Sequence, residues 1–225
     1  VMGGNGVLSF LNGSKAYFSR YGIYSTAGGE INVNSSVMKL TDMQYTCMMG
    51  ESYGKLNVEN SSDFTIDKAA DPNGITGYEI KVDSSTFTVK NCSNQGLVKC
   101  NFTLSNGAEA DISSNSTGIN LYGGNALTVN DGTTLKVNNN SERAIMTQGR
   151  ATTVVEVKAG GTLEVKNNGS GFAAEYDDSK YYAERSAISI GVYGWYDAQG
   201  RLLLYYNDVL NFEDGAKVEI IGNNV

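Results

Sequence analysis

Histidine is absent from this chain of 225 residues, and proline occurs only once, at Pro72. The three cysteines, Cys47, Cys92 and Cys100, form no CxxC pair. We therefore expect neither a structural zinc site nor a disulfide framework, although a Cys92–Cys100 disulfide stays open for a secreted protein. No apolar run reaches the roughly 18 residues of a membrane-spanning helix, so we expect no membrane insertion.

Positive charge is also scarce, because 17 Lys and Arg stand against 24 Asp and Glu and give a net charge of −7. A nucleic-acid partner requires a basic face, so this balance argues against one. Few windows show the 3.6-residue apolar period of a helix. The 27 glycines and the many Asn, Ser and Thr residues instead favour short strands and tight turns.

One short strand recurs along the chain. GGTLEVKNN at 160–168 has counterparts at 28–36, 53–62 and 132–140. Aligned on the first inward apolar residue, the strands begin at Ile31, Leu56, Phe87, Ala110, Leu135, Leu163 and Val218. A preceding strand begins seven or eight residues earlier, at Ile23, Met48, Ile80, Phe102, Leu127, Val155 and Leu210. Successive copies of the strand start 23 to 31 residues apart, except for one step of 55 residues across 169–207. Self-similarity at a period of this length is typical of a solenoid.

The repeat unit alternates apolar and polar residues, which excludes helical solenoids. A coil of about 25 residues with two or three short strands has the size of one rung of a parallel β-helix. A third strand is visible at Ile119, Leu121 and Ile145. The sequence predicts one all-β domain over 1–225, with an insertion at 169–207, and we expect it to be a fragment of a larger protein.

Asparagine occupies a fixed place in the repeat, two residues after the second inward apolar position. That slot contains Ser35, Asn60, Asn91, Ser114, Asn139, Asn167 and Gly222. Asn tolerates the left-handed conformation of a sharp corner, and we predict an asparagine ladder in which Asn139 and Asn167 are neighbours. The alternative is glycosylation at the N-x-S/T sequons Asn12, Asn34, Asn60, Asn91, Asn101, Asn115, Asn139 and Asn168. So many glycans would crowd a small rod, which favours the ladder and a bacterial source.

The G-x-(x)-Φ-x-Φ-x-N pattern of GGTLEVKNN, GTTLKVNNN and GNALTVNDG resembles the pectate-lyase-like right-handed β-helix. More closely, it resembles the adhesive version in surface proteins of Gram-positive bacteria, including gut commensals. The resemblance runs from about Ile23 to Ile220, apart from 169–207. It implies a right-handed parallel β-helix of about seven rungs in an extracellular or cell-surface protein. The superfamily includes lyases, glycosidases, adhesins and binders of host proteins, so immunoglobulin binding is an expectation by analogy alone.

The insertion at 169–207 is the part that the repeat does not explain. Its AERSAISIG resembles SERAIMTQG of the preceding rung, so the rung should resume near Ala187. VYGWYDAQGRLLLYY predicts a β-hairpin with DAQG, residues 197–200, as its turn. The insertion is rich in tyrosine and holds the only tryptophan, and the predicted binding residues are Tyr181, Tyr182, Tyr193, Trp195, Tyr196, Arg201 and Tyr205. Packing of these aromatics against the rod is the alternative.

Catalysis is the competing functional hypothesis. A lyase of this fold needs clustered carboxylates for calcium and an Arg or Lys base, and a hydrolase needs aspartates on adjacent rungs. The candidates are Asp177 and Asp178, with Arg185 as a base, but an Asp pair in a loop is usually a solvated turn. We therefore expect a non-catalytic monomer without metal or cofactor that binds a host protein or glycan. The alternative is a polysaccharide lyase or glycoside hydrolase.

Overall fold

The computed structural model describes residues 6–25, 28–70, 72–149, 151–170, 187–189, 194–196, 202–204 and 208–223, with only the backbone described at 51–53, 194–196 and 202–204. Every regular element in these ranges is a β-strand. No helix in these ranges is long and apolar enough to cross a membrane.

The strands are short, except for two that continue around a corner. In chain order they are β1 (Val7–Leu11), β2 (Lys15–Arg20), β3 (Ile23–Ser25), β4 (Glu30–Asn34), β5 (Val37–Met43), β6 (Met48–Glu59), β7 (Asp63–Ala69), β8 (Asn73–Asp83), β9 (Thr86–Lys90), β10 (Gln95–Val98), β11 (Asn101–Ser105), β12 (Glu109–Ser113), β13 (Thr117–Tyr122), β14 (Ala126–Val129), β15 (Thr134–Lys136), β16 (Arg143–Gln148), β17 (Val154–Val157), β18 (Thr162–Lys166), β19 (Ile188–Ser189), β20 (Gly194–Tyr196), β21 (Leu202–Leu204), β22 (Val209–Phe212) and β23 (Lys217–Ile221).

All strands except β20 and β21 stack in parallel on three faces, which we call sheets I, II and III. Sheet I contains β1, β4, the second halves of β6 and β8, β11, β14, β17 and β22. Sheet II contains β2, β5, β7, β9, β12, β15, β18 and β23. Sheet III contains β3, the first halves of β6 and β8, β10, β13, β16 and β19. The chain visits the sheets in the order I, II, III, so the predicted parallel β-solenoid is confirmed.

The two-residue alternation places one set of apolar side chains inside the coil. Leu135 pairs with Leu163 in neighbouring turns of sheet II, and both are fully buried. Val137 and Val165, two residues further on, are buried as well, so the predicted inward orientation of all four residues is confirmed. Because each turn covers the apolar face of the previous one, the core is continuous along the solenoid.

The register differs from the sequence alignment in the first two turns. Ile31 pairs with Leu56, and Leu56 pairs with Ile80, so all three lie in sheet I. Phe87, which the alignment grouped with Leu56, pairs with Phe64 in sheet II. The Phe64 and Phe87 rings stack with centroids 5.0 Å apart. From Ile80 and Phe87 onward, both predicted columns are correct.

This error arises because two different corners have the same length. The chain takes eight residues from Ile23 in sheet III to Ile31 in sheet I, and eight residues from Leu127 in sheet I to Leu135 in sheet II. An interval of eight residues therefore does not identify which corner the chain is turning.

The corners are made by residues in the left-handed conformation. All seven residues of the predicted corner slot have φ between 49° and 66°, which confirms the conformational part of the prediction. The seven residues lie at two different corners of the coil, however. Ser35 and Asn60 follow strands of sheet I, whereas Asn139 and Asn167 lie near the ends of sheet II strands.

The asparagine ladder runs one residue further along the chain than predicted, between sheets II and III. Its members are Asn115, Asn140, Asn168 and Asn223. The Nδ2 of each of the first three members donates to the Oδ1 of the next, at 3.2, 2.9 and 2.9 Å in turn. The backbone N–H of each of these three residues donates to the same oxygen. Asn139 and Asn167 lie at this corner, but Asn139 is held through its backbone N–H, which donates to the Lys166 carbonyl.

The ladder bears on the glycosylation alternative. Two of the eight sequon asparagines, Asn115 and Asn168, are ladder members and are only 2 % and 1 % exposed. A glycan on either amide would replace one of its two N–H groups, both of which donate hydrogen bonds inside the coil. The folded structure therefore excludes glycosylation at these two positions.

Candidate functional site

The insertion at 169–207 departs from the solenoid and returns to it at defined points. After β18, the next strand on sheet III is β19, where Ile188 pairs with Ile145 of β16. This pairing confirms that the interrupted rung resumes near Ala187. The chain then leaves sheet III again before it reaches β22 in sheet I.

The second excursion contains an antiparallel strand pair. Trp195 pairs with Leu203, and Tyr196 pairs with Leu202, on the strands β20 and β21. The predicted hairpin is confirmed in its two strands, and its predicted turn, 197–200, lies outside the described residues. This is the only antiparallel pairing within the described ranges.

Most of the predicted site residues lie outside the part of the chain that the structure describes. They are the binding candidates Tyr181, Tyr182, Tyr193, Arg201 and Tyr205 and the catalytic candidates Asp177, Asp178 and Arg185. Trp195 and Tyr196 are described as backbone in β20, which places them on the hairpin. Their roles remain predictions.

Asp208 fixes the point where the chain returns to the solenoid. Its Oδ2 accepts a hydrogen bond from the Thr147 hydroxyl at 2.6 Å, and its Oδ1 accepts one from the Thr153 backbone N–H at 2.9 Å. These partners lie 61 and 55 residues away in sequence. The carboxylate therefore ties the end of the insertion to the preceding turn.

A second aromatic surface, outside the predicted site residues, lies at the other end of the solenoid. Tyr21 and Tyr45 stack with ring centroids 6.0 Å apart and an interplanar angle of 18°. They are 66 % and 55 % exposed. The two residues occupy neighbouring turns of the corner between sheets II and III, where the Gln44 N–H donates to the Arg20 carbonyl.

We call the adjoining cavity the tyrosine cleft. Its lining is Tyr21, Gly22, Ile23, Tyr24, Tyr45, Thr46, Met49 and Pro72, and its volume is about 650 Å³. Tyr24 and Met49 are register partners on β3 and β6, so neighbouring turns build one wall. The only sequence signal was the separation of 24 residues between Tyr21 and Tyr45, which is one turn of the repeat.

Several carboxylates of the regular turns have charged or hydrogen-bonding partners on the outer faces. Lys166 contacts Glu164 at 2.9 Å and Glu219 at 2.8 Å. The hydrogen bond from Lys166 lowers the pKa of Glu164, assisted by Asn138, and Lys166 followed by Lys217 lowers the pKa of Glu219. The general acid of a glycosidase needs a raised pKa. The pKa values of Glu164 and Glu219 are therefore shifted in the direction opposite to that which acid catalysis requires.

Metal ligation has no support in the described ranges. They contain no group of three or more Cys, Asp or Glu residues arranged to hold an ion. The lysine and carboxylate pairs lie on open outer faces, as in the contact of Lys39 with Asp63 at 3.1 Å. This arrangement is that of charge pairing between turns.

The three cysteines are buried titratable groups. Cys47, Cys92 and Cys100 are free thiols, so the Cys92–Cys100 disulfide left open by the sequence is not formed. Burial raises the pKa of Cys92 to about 12 and that of Cys100 to about 11, and it also raises the pKa of Cys47. A reactive cysteine needs a lowered pKa. The thiols are therefore core residues, not nucleophiles.

No protein-family model, no curated protein and no solved structure matches this chain. The parallel solenoid is consistent with the pectate-lyase-like β-helix that the repeat resembles.

Proposed function

We propose that this chain is a non-catalytic binding and adhesion module of a bacterial cell-surface or secreted protein. In this proposal it acts as a monomer and recognises a host protein, with immunoglobulin as one candidate, or a glycan. The observation that carries the proposal is the antiparallel hairpin, with Trp195 and Tyr196 on β20, in a chain whose other described strands all pair in parallel. Loops on a rigid scaffold commonly carry recognition.

Two physical arguments support this assignment. Stacking of turns does not require the hairpin, since the described circuits from β1 to β18 close without one. The residue types concentrated in the insertion, Tyr, Trp and Arg, are those that most often dominate binding energy. The outer faces instead use Lys158 and Lys166 in ion pairs with glutamates, which leaves little area to desolvate.

The test is retention on a mixed array of printed glycans and mammalian serum glycoproteins that includes immunoglobulin G. The wild-type chain should bind at least one of these probes. Replacement of Tyr193, Trp195 and Tyr196 together by alanine should abolish the binding of at least one retained probe and leave the melting temperature nearly unchanged. Tyr17→Ala removes a 67 % exposed tyrosine on β2 and serves as the matched control.

Two results would reject the proposal. Unchanged binding of every retained probe by the triple variant would remove the insertion from the recognition surface. Release of unsaturated or reducing ends when the chain is incubated with polysaccharides would assign it to the lyases or hydrolases instead.

A further inference from the structure

We infer that the tyrosine cleft is a second binding site, separate from the insertion, and that it takes an uncharged sugar ring at the end of a neutral glycan. The inference rests on the size of the cleft, on its lining and on the exposure of the Tyr21 and Tyr45 rings. It does not depend on the hairpin, which lies between β19 and β22, whereas the cleft lies between β2 and β8.

Size decides between a small ligand and a protein partner. The cleft holds about 650 Å³, inside the range of roughly 300–1,000 Å³ that is typical of small-molecule sites. A stable protein interface needs about 800 Å² from each partner, formed by some 20–30 residues. Eight of the described residues line the cleft. The geometry therefore fits one or two sugar rings better than a protein surface.

The residues that line the cleft indicate an uncharged ligand. Its described residues contain no lysine, arginine, aspartate or glutamate. In a chain of net charge −7, such a cleft offers no counter-ion to a uronate, a sialate or a phosphate. Tyr21 and Tyr45 combine an apolar ring face with a hydroxyl at its edge. That combination matches a pyranose ring, which has an apolar C–H face and a rim of hydroxyl groups.

The two tyrosines are held in place before any ligand arrives. Their rings already stack at 6.0 Å, and each is anchored to a turn whose neighbours are fixed by backbone hydrogen bonds. Two exposed rings that lose little side-chain freedom on binding reduce the entropic cost of association. Met49 and Pro72 supply the apolar remainder of the lining.

The experiment is an array of neutral and acidic glycans probed with the intact chain. Neutral glycans should be retained by the wild type, by Tyr17→Ala and by the triple replacement of Tyr193, Trp195 and Tyr196. Retention should fall at least about tenfold in the Tyr21→Ala/Tyr45→Ala double variant. Tyr45→Phe keeps the ring and should retain most of the binding. Melting temperatures of the Tyr17, Tyr21 and Tyr45 variants should stay close to that of the wild type, since these three rings are exposed.

The inference is overturned by any of three results. The first is the absence of retained neutral glycans, or retention of acidic glycans only. The second is retention of neutral glycans that is unchanged in the Tyr21→Ala/Tyr45→Ala double variant. If the triple variant alone then lost these glycans, the sugar would bind at the insertion, as in the proposed function. The third is tyrosine-dependent binding of a decaproline peptide in place of any glycan, which would make the cleft a peptide groove.

Discussion

Asn140 and Asn168 lie 28 residues apart in sequence, yet the Nδ2 of Asn140 donates to the Oδ1 of Asn168 at 2.9 Å. The same oxygen accepts the backbone N–H of Asn140, also at 2.9 Å. In turn, the Oδ1 of Asn140 accepts from the backbone and the side chain of Asn115. One buried side chain thus joins three consecutive turns of the solenoid.

Asn140→Ala should lower the free energy of unfolding by about 3 kcal/mol, because it leaves the buried N–H of Asn115 without its acceptor. Urea unfolding followed by circular dichroism measures this loss. Asn139→Gly is the matched control: Asn139 is exposed and has φ 56°, which glycine adopts freely, so its effect should stay within about 1 kcal/mol. Equal losses in the two variants would contradict the ladder.

Leu163→Asp should prevent folding, since it puts a carboxylate into the core between Leu135 and Val218. The measurement is the yield of soluble protein with a cooperative thermal transition. Thr162→Asp changes the adjacent, partly exposed residue and should fold normally. A natively melting Leu163→Asp variant would show that the assigned inner face is wrong.

Tyr78→Phe should stabilise the protein by about 1 kcal/mol, because the fully buried Tyr78 hydroxyl has no hydrogen-bond partner in the described part of the chain. The ring itself is needed, since it fills the space beside Gly54, where an added Cβ would lie 2.6 Å from a ring carbon. Tyr17→Phe, at an exposed position, should leave the stability unchanged. A destabilised Tyr78→Phe variant would indicate that the hydroxyl has a partner.

Stability should fall as the pH rises above about 9. Cys92 and Cys100 titrate at 9.0 when unperturbed, and burial raises their pKa to about 12 and about 11. Between these values the unfolded chain releases protons that the folded chain keeps, so deprotonation favours unfolding. Each group contributes a loss of about 1.4 kcal/mol per pH unit in that window, and neither contributes below it.

The measurement is the free energy of unfolding in urea at pH 8 and pH 10.5 under reducing conditions. A variant with alanine at Cys47, Cys92 and Cys100 controls for other groups that titrate at high pH. It should show a clearly shallower decline than the wild type. Parallel declines in both proteins would mean that the thiols are not protected by the fold.

The architecture could be predicted from the sequence because alternation and period are physical requirements of a stacked coil. Leu135 and Leu163 recur in phase because both must reach the same core, and Asn139 and Gly222 recur because the corner needs a left-handed residue. Neither requirement distinguishes one corner from another. The predicted alignment therefore assigns the strands of the first two turns to the wrong sheet. It groups Phe87 with Leu56, although Phe87 pairs with Phe64.

The ladder and the tyrosine cleft were harder to predict for a different reason. The residue that makes the turn, Asn139, and the residue that makes the ladder, Asn140, are adjacent asparagines, and only the direction of their side chains separates their roles. Tyr21 and Tyr45 belong to no alternating strand pattern. Their stacking follows from the register of turns, which the sequence alignment had displaced in that region.

Residues one repeat apart lie side by side in parallel register, and an engineered disulfide can trap this arrangement. Thr103 and Thr128 are register partners on β11 and β14, with partly exposed outward side chains. Their Cα atoms should lie about 4.8 Å apart, within the range that a disulfide spans. Thr103→Cys/Thr128→Cys should therefore oxidise readily, as identified by mass spectrometry of a non-reduced digest. Thr103→Cys/Ala126→Cys, displaced by two residues to about 8 Å, should not oxidise. A bridge in the displaced pair but not in the first would contradict the register on which the solenoid, its ladder and its two aromatic surfaces depend.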